Sequence, residues 1–154
     1  MPVIVVGADT LLGEAIVAAL LARGGEIRAF ATDPARAAVL RGRGAKVAVG
    51  DLSDGSHLAA AAYHAFTAVL VEASIEDGRP IAFAADTPGV VEAWINAIRD
   101  SGVQRAIWVG DPPPSAAGGA APETAVVRSD GKSDQEIAQE VADLNDRARL
   151  LPES

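Results

Sequence analysis

Glycines 7 and 13 bracket a short turn between an apolar run, Val3 to Val6, and a segment with helical spacing from Leu11 to Arg23. Glycine is the residue such a turn needs if it is to bend tightly and let a diphosphate reach the backbone N–H groups at the start of a helix. The same two residues also suit a tight turn that binds nothing, so the turn leaves both readings open. Other chemistry is thinly represented. His57 and His64 lie about two turns apart on one helix, too far for adjacent metal ligands. Ser115 has no nucleophile-elbow pattern around it, and Asp111 is a lone loop acid. No catalytic set and no metal site are expected.

The elements that must position the turn follow the chain in strict alternation. Strands are expected at Val3–Val6, Glu26–Ala31, Lys46–Val49, Thr67–Val71 and Arg105–Val109. Between them come helices from Leu11, from Asp33-Pro34 (with Asp33 as N-cap), from Ser56 and from Pro88. The stretch from Glu72 to Asp86 reads as irregular, with a short insertion around Pro80 to Ala84. Alternation of this kind predicts an α/β fold, a doubly wound parallel sheet of order 3-2-1-4-5, with a ligand crevice where strands one and four diverge. Residues 1–154 are expected to form one such domain. Residues 111–132 read as an irregular connection, and residues 133–150 as a C-terminal helix opened by a Ser133–Glu136 capping box. Its stripe of Ile137, Val141, Leu144, Ala148 and Leu151 must be covered, by the chain's own core or by a second copy in a homodimer.

Composition narrows the partners. The net charge is -8, from 21 acidic and 13 basic side chains, so no basic surface is available for nucleic acid or an anionic membrane. No apolar stretch approaches the roughly 20 residues of a membrane span. The chain has no cysteine, which excludes disulfides and thiolate chemistry and suits a cytoplasmic protein.

The opening, MPVIVVGADTLLGEAIVAALLARGGEIRAFATDPARA, resembles that of atypical or extended short-chain dehydrogenases of the NmrA-like kind. The likeness continues through Gly50-Asp51-Leu52, Pro88-Gly-Val-Val-Glu and Gly102-Val-Gln-Arg-Ala-Ile-Trp-Val-Gly, covering about residues 2 to 110. It implies a Rossmann-like, NAD(P)-binding domain. In the family's GATGxxG turn, Gly7 and Gly13 take the first and last glycine positions, Thr10 the middle one, Asp9 the usual threonine, and Leu11 and Leu12 the variable pair. Asp9 would repel a diphosphate if it pointed inward, or cap the helix from outside. After strand two, Thr32 stands where relatives using the phosphorylated cofactor carry arginine, and Asp33 would accept a ribose hydroxyl. The resemblance thus implies NAD(H), with NADP(H) the lesser candidate and Arg36 a weaker partner for a 2′-phosphate. Asp51 and Leu52 would approach adenine. Glu72 departs from the small residues expected after strand four, and would either project away or intrude on the cofactor path.

The family's catalytic residues have no counterpart. Gly110-Asp111 stands in place of the hydroxyl residues after strand five, and neither Lys46 nor Lys132 has a tyrosine four residues before it. The first functional reading is therefore a dinucleotide-binding or sensing domain. Its alternatives are a degenerate fold that binds no cofactor and serves an interaction, and an oxidoreductase with substitute catalytic groups.

Overall fold

Period-two alternation inside fully buried strands divides the core between the two faces of the sheet. In the computed structural model, which describes residues 1–111 and 119–150, Val3 and Val5 of β1 (Val3–Val6) face one side and Ile4 and Val6 the other. The first side is covered by α1 (Leu11–Ala22), α2 (Pro34–Gly42) and α6 (Asp134–Asp146). The second is covered by α3 (Gly55–Ala62) and α5 (Thr87–Ser101). Strands β2 (Ile27–Ala31), β3 (Lys46–Val49), β4 (Thr67–Val71), β5 (Arg105–Val109) and β6 (Glu123–Val127) complete a six-stranded sheet of order β3-β2-β1-β4-β5-β6. Every pairing is parallel. A single helical turn, α4 (Ala73–Glu76), follows β4.

Two caps sit where the sequence places them: Asp33 accepts from the N–H of Ala35, and Ser133 and Glu136 form the reciprocal capping box. Asp86, unannounced by the sequence, caps α5 by accepting from the N–H of Gly89. Gly102 closes α5 in the left-handed conformation, φ 76°.

Two expectations need correction. The connection expected to be irregular over 111–132 contains β6, a half-buried strand on the sheet edge. An edge strand beginning Glu-Thr carries no continuous apolar run, so its sequence does not announce it. The proline run from Pro112 and Ser115 lies outside the described residues, as does Leu151. The second correction concerns the helix stripe. Ile137 and Val141 are buried with Ala138 and Ala142 against α1, in the same core cluster as Ile16 and Leu20. The stripe belongs to the chain's own core, and Ala148 is exposed, so a homodimer built through it loses its physical basis.

Candidate functional site

The turn after β1 is shaped by what glycine leaves out. Gly7 has φ +83°, and a Cβ there would stand 2.5 Å from Ser74 Oγ. A Cβ on Gly13 would stand 2.2 Å from the carbonyl oxygen of Gly7. Both positions are closed to other residues unless the turn moves. Thr10 does not project across the turn. It is the N-cap of α1, donating its hydroxyl to the carbonyl of Gly7 at 3.0 Å and accepting from the N–H of Gly13 at 2.8 Å. The residues after it differ in placement: Leu12 is half-buried against the core, while Leu11, the first residue of α1, is 70% exposed.

Asp9 takes neither expected course. It is buried, and one carboxylate oxygen accepts from the N–H groups of Thr32 and Asp33, both at 2.9 Å. The other accepts from Arg79 Nη1 at 2.6 Å. Burial pushes the carboxyl up, but the N–H of Asp33, the guanidinium of Arg79 and the N–H of Thr32 outweigh it and hold it below its usual range. Asp9 thus clamps the first turn to the second and draws a guanidinium between them. Arg79 also lies 3.3 Å from Thr32 Oγ1 and pairs with Asp77. Arg36 donates to the carbonyl of Asp9 at 3.2 Å and pairs with Glu14. Together Asp9, Thr32, Asp33, Arg36, Asp77 and Arg79 line a cavity of about 320 Å³.

Further along the crevice, Asp51 and Leu52 are engaged by the protein itself. Asp51 accepts from the hydroxyl and N–H of Ser53 and from the N–H of Ala82 at 2.8 Å. Ser53 Oγ accepts from the N–H of Phe83 at 2.9 Å. Leu52 is fully buried, its carbonyl accepting from Trp94 Nε1 at 2.8 Å. The segment from Asp77 to Ala84 is therefore strapped across this end of the crevice, at Asp9 and Thr32 through Arg79 and at Asp51 and Ser53 through backbone N–H groups.

The opposite end, beyond β4 and β5, holds a second and roomier hollow. A cavity of about 520 Å³ is lined by Pro88, Val91, Ile95 and Trp108, with Glu72, Glu92, Arg99 and Asp111 among its polar groups. Glu72 turns toward β5, where its Oε2 accepts from Trp108 Nε1 at 3.0 Å. Gly110, with φ +133°, makes room for it: a Cβ there would lie 2.8 Å from the Cβ of Glu72. Burial, with a hydrogen bond shared with Glu76, pushes Glu72 up to about 7, against the pull of the indole N–H. Glu72 and Gly110, read separately as departures from the family pattern, are one packed pair. Arg79 carries no motif, and Trp108 was read only as part of strand five; each enters the site through the folding of distant segments.

A parallel sheet of this order, with a glycine turn opening α1, defines a Rossmann fold. The NAD(P)H-binding family model matches residues 7–113, and the chain belongs to that family. No curated protein matches it in sequence. Similar solved structures include ChuY, an anaerobillin reductase from Escherichia coli O157:H7, at TM-score 0.71 and 15% identity, covering 97% of this chain and 92% of that one. A putative NAD-dependent epimerase/dehydratase from Bacillus halodurans matches at TM-score 0.71 and 19% identity, over 96% of this chain and 88% of that one. The NADPH-dependent quinone oxidoreductase from Escherichia coli, complexed with NADPH, matches at TM-score 0.61 and 20% identity, over 94% of this chain but only 45% of its own. The chain spans about half or less of that enzyme. The expectation that NADP(H) is the lesser cofactor is overturned: similar structures include NADPH-dependent proteins, and Thr32, the uncharged residue behind that expectation, stands beside two guanidinium groups.

Proposed function

We propose that the protein is an NAD(P)H-dependent oxidoreductase of the atypical kind, reducing its substrate without the Tyr-x-x-x-Lys pair. The observation that carries this reading is the placement, at the C-terminal ends of the central strands, of the Gly7–Gly13 turn and a large apolar cavity beyond β4 and β5. A binding or sensing domain needs the turn but has no use for the cavity. Similar folds described as a quinone oxidoreductase, an anaerobillin reductase and a triphenylmethane reductase support the same choice over a pure sensor.

The residues present fit the cofactor. The first-turn N–H groups of α1, at Leu11 and Leu12, would face the diphosphate, and Gly7, Thr10 and Gly13 would shape the loop beneath it. Thr32 and Asp33 would border the adenosine ribose. Arg36 and Arg79 would supply positive charge for a 2′-phosphate, with Asp9 holding Arg79 in place. Asp51 and Leu52 would flank adenine once Ala82 releases Asp51. The bound cofactor supplies the hydride, and the protein's part is to orient it, exclude water and supply a proton.

One observation favours a second reading. The strap on Asp51 and Ser53 fills the end of the crevice that adenine would need, as in a Rossmann domain that has given up its cofactor. NADPH binding and turnover separate the readings: oxidation of NADPH that depends on both the protein and a carbonyl or quinone acceptor is the expected result. Failure to bind NADPH selects the cofactor-free reading, and bound NADPH with no acceptor-dependent oxidation across such a panel would return the protein to the sensing class.

A further inference from the structure

We propose that Glu72 is the proton donor of this protein's reduction chemistry, and that the cavity it lines takes a neutral, apolar carbonyl compound. The proposal rests on the oxidoreductase reading above and names the substrate class and the acid for that site.

The placement comes first. Glu72 directly follows β4, the neighbour of β1, and Ser74 just beyond it is packed against Gly7 of the cofactor turn. Its side chain is fixed by the Trp108 indole and by the space Gly110 leaves, so the carboxyl is held at the cavity wall. A fixed orientation is what a general acid needs. The cavity then selects the ligand. Val91, Ile95 and Pro88, with Trp108 in the wall, suit an apolar body. The charged groups around Glu72 are the carboxylates of Glu76 on α4 and Asp111 after β5, the latter paired with Arg128 at 3.8 Å, while Glu92 and Arg99 of α5 line the same cavity. Three carboxylates against two guanidinium groups leave the surroundings net negative, which disfavours an anionic substrate. Burial first, then Glu76 and Asp111, favours the neutral acid form of Glu72, which can donate to a carbonyl oxygen.

The step balances with a reduced nicotinamide dinucleotide as the reductant. The carbonyl π bond breaks, its carbon accepts the hydride with both electrons, and its oxygen forms a new O–H bond with the proton of Glu72. Glu72 is left as a carboxylate, which solvent reprotonates, and the product is the alcohol.

The test reads the Trp108 indole N–H by NMR, with benzylideneacetone as probe and no dinucleotide present. The enone should shift that signal saturably, and its affinity should fall about tenfold from about pH 6 to about pH 8 as the acid form of Glu72 is depleted. In Glu72→Gln, which keeps a neutral donor, the affinity should become independent of pH, and the signal's own titration near neutrality should vanish. With NADPH added, the same variant should reduce the enone about 10²–10⁴-fold more slowly. An unshifted Trp108 signal, or wild-type affinity independent of pH, overturns the proposal without touching the dinucleotide reading. Enone binding with the expected pH dependence in a protein that binds no dinucleotide keeps the ligand chemistry and overturns the proton-donor role together with the oxidoreductase reading.

Discussion

Leu11 is a bulky apolar side chain left 70% exposed at the first position of a helix, where it covers nothing. Its N–H is one of the orphan donors of α1, so a diphosphate held there would sit against this residue. An acidic side chain at a helix start is neutral to favourable for folding. Leu11→Asp should therefore leave the melting temperature unchanged or slightly raised while weakening NADPH binding at least about fivefold, since two like charges a few ångströms apart repel by roughly 1–4 kcal/mol. Equal affinity in variant and wild type would place the diphosphate elsewhere. At this scale the sequence was legible where a role depends on neighbours in the chain. Asp33 caps the helix beginning at Pro34, and Ser133 and Glu136 box the start of α6. It was illegible where the partner comes from far along the chain. Asp9 is explained by Arg79, 70 residues away, and Glu72 by Trp108, 36 residues away.

At the scale of elements, the same distinction separates the five strands that were readable from the sixth that was not. Strands β1, β4 and β5 are buried on both faces, so each is a continuous apolar run flanked by turn residues. Strand β6 has one neighbour and an open edge, so its composition is free to be polar. The strap from Asp77 to Ala84 was readable only as an insertion. Its path is set by hydrogen bonds from its backbone to Asp51 and Ser53, and backbone donors leave no trace in residue type. The helix stripe on α6 was correctly seen as apolar, but periodicity does not say which surface covers it. The answer, α1, places each buried Ile or Val of the stripe where it contributes about 1.5–3 kcal/mol to the chain's own stability.

The whole molecule is closed by a clamp outside the cofactor region. Arg105 at the start of β5 is fully buried and donates to the carbonyls of Leu144, Asn145 and Arg147, tying the end of α6 to the sheet. Glu123 of β6 pairs with it at 3.0 Å and accepts from the N–H of Leu150. The N–H of Leu150, the amide of Gln104 and the guanidinium of Arg105 hold Glu123 down at about 2. A folded-state value below the unfolded one means that the stabilisation is present above about pH 4.5 and is lost as pH falls towards 2. Urea midpoints should therefore decline through that acid range, and Glu123→Gln should flatten the decline. An equally steep decline in the variant would assign acid sensitivity to other carboxylates. Among the described residues no helix is long and apolar enough to cross a membrane. The account's central claim, that this small Rossmann domain holds a reduced nicotinamide dinucleotide, is tested most directly by equilibrium titration of the purified chain with NADPH and with NADH. It predicts saturable binding of one NADPH per chain, no weaker than that of NADH. Failure of both to bind at millimolar concentration would contradict it and leave the crevice permanently closed by the protein's own strap.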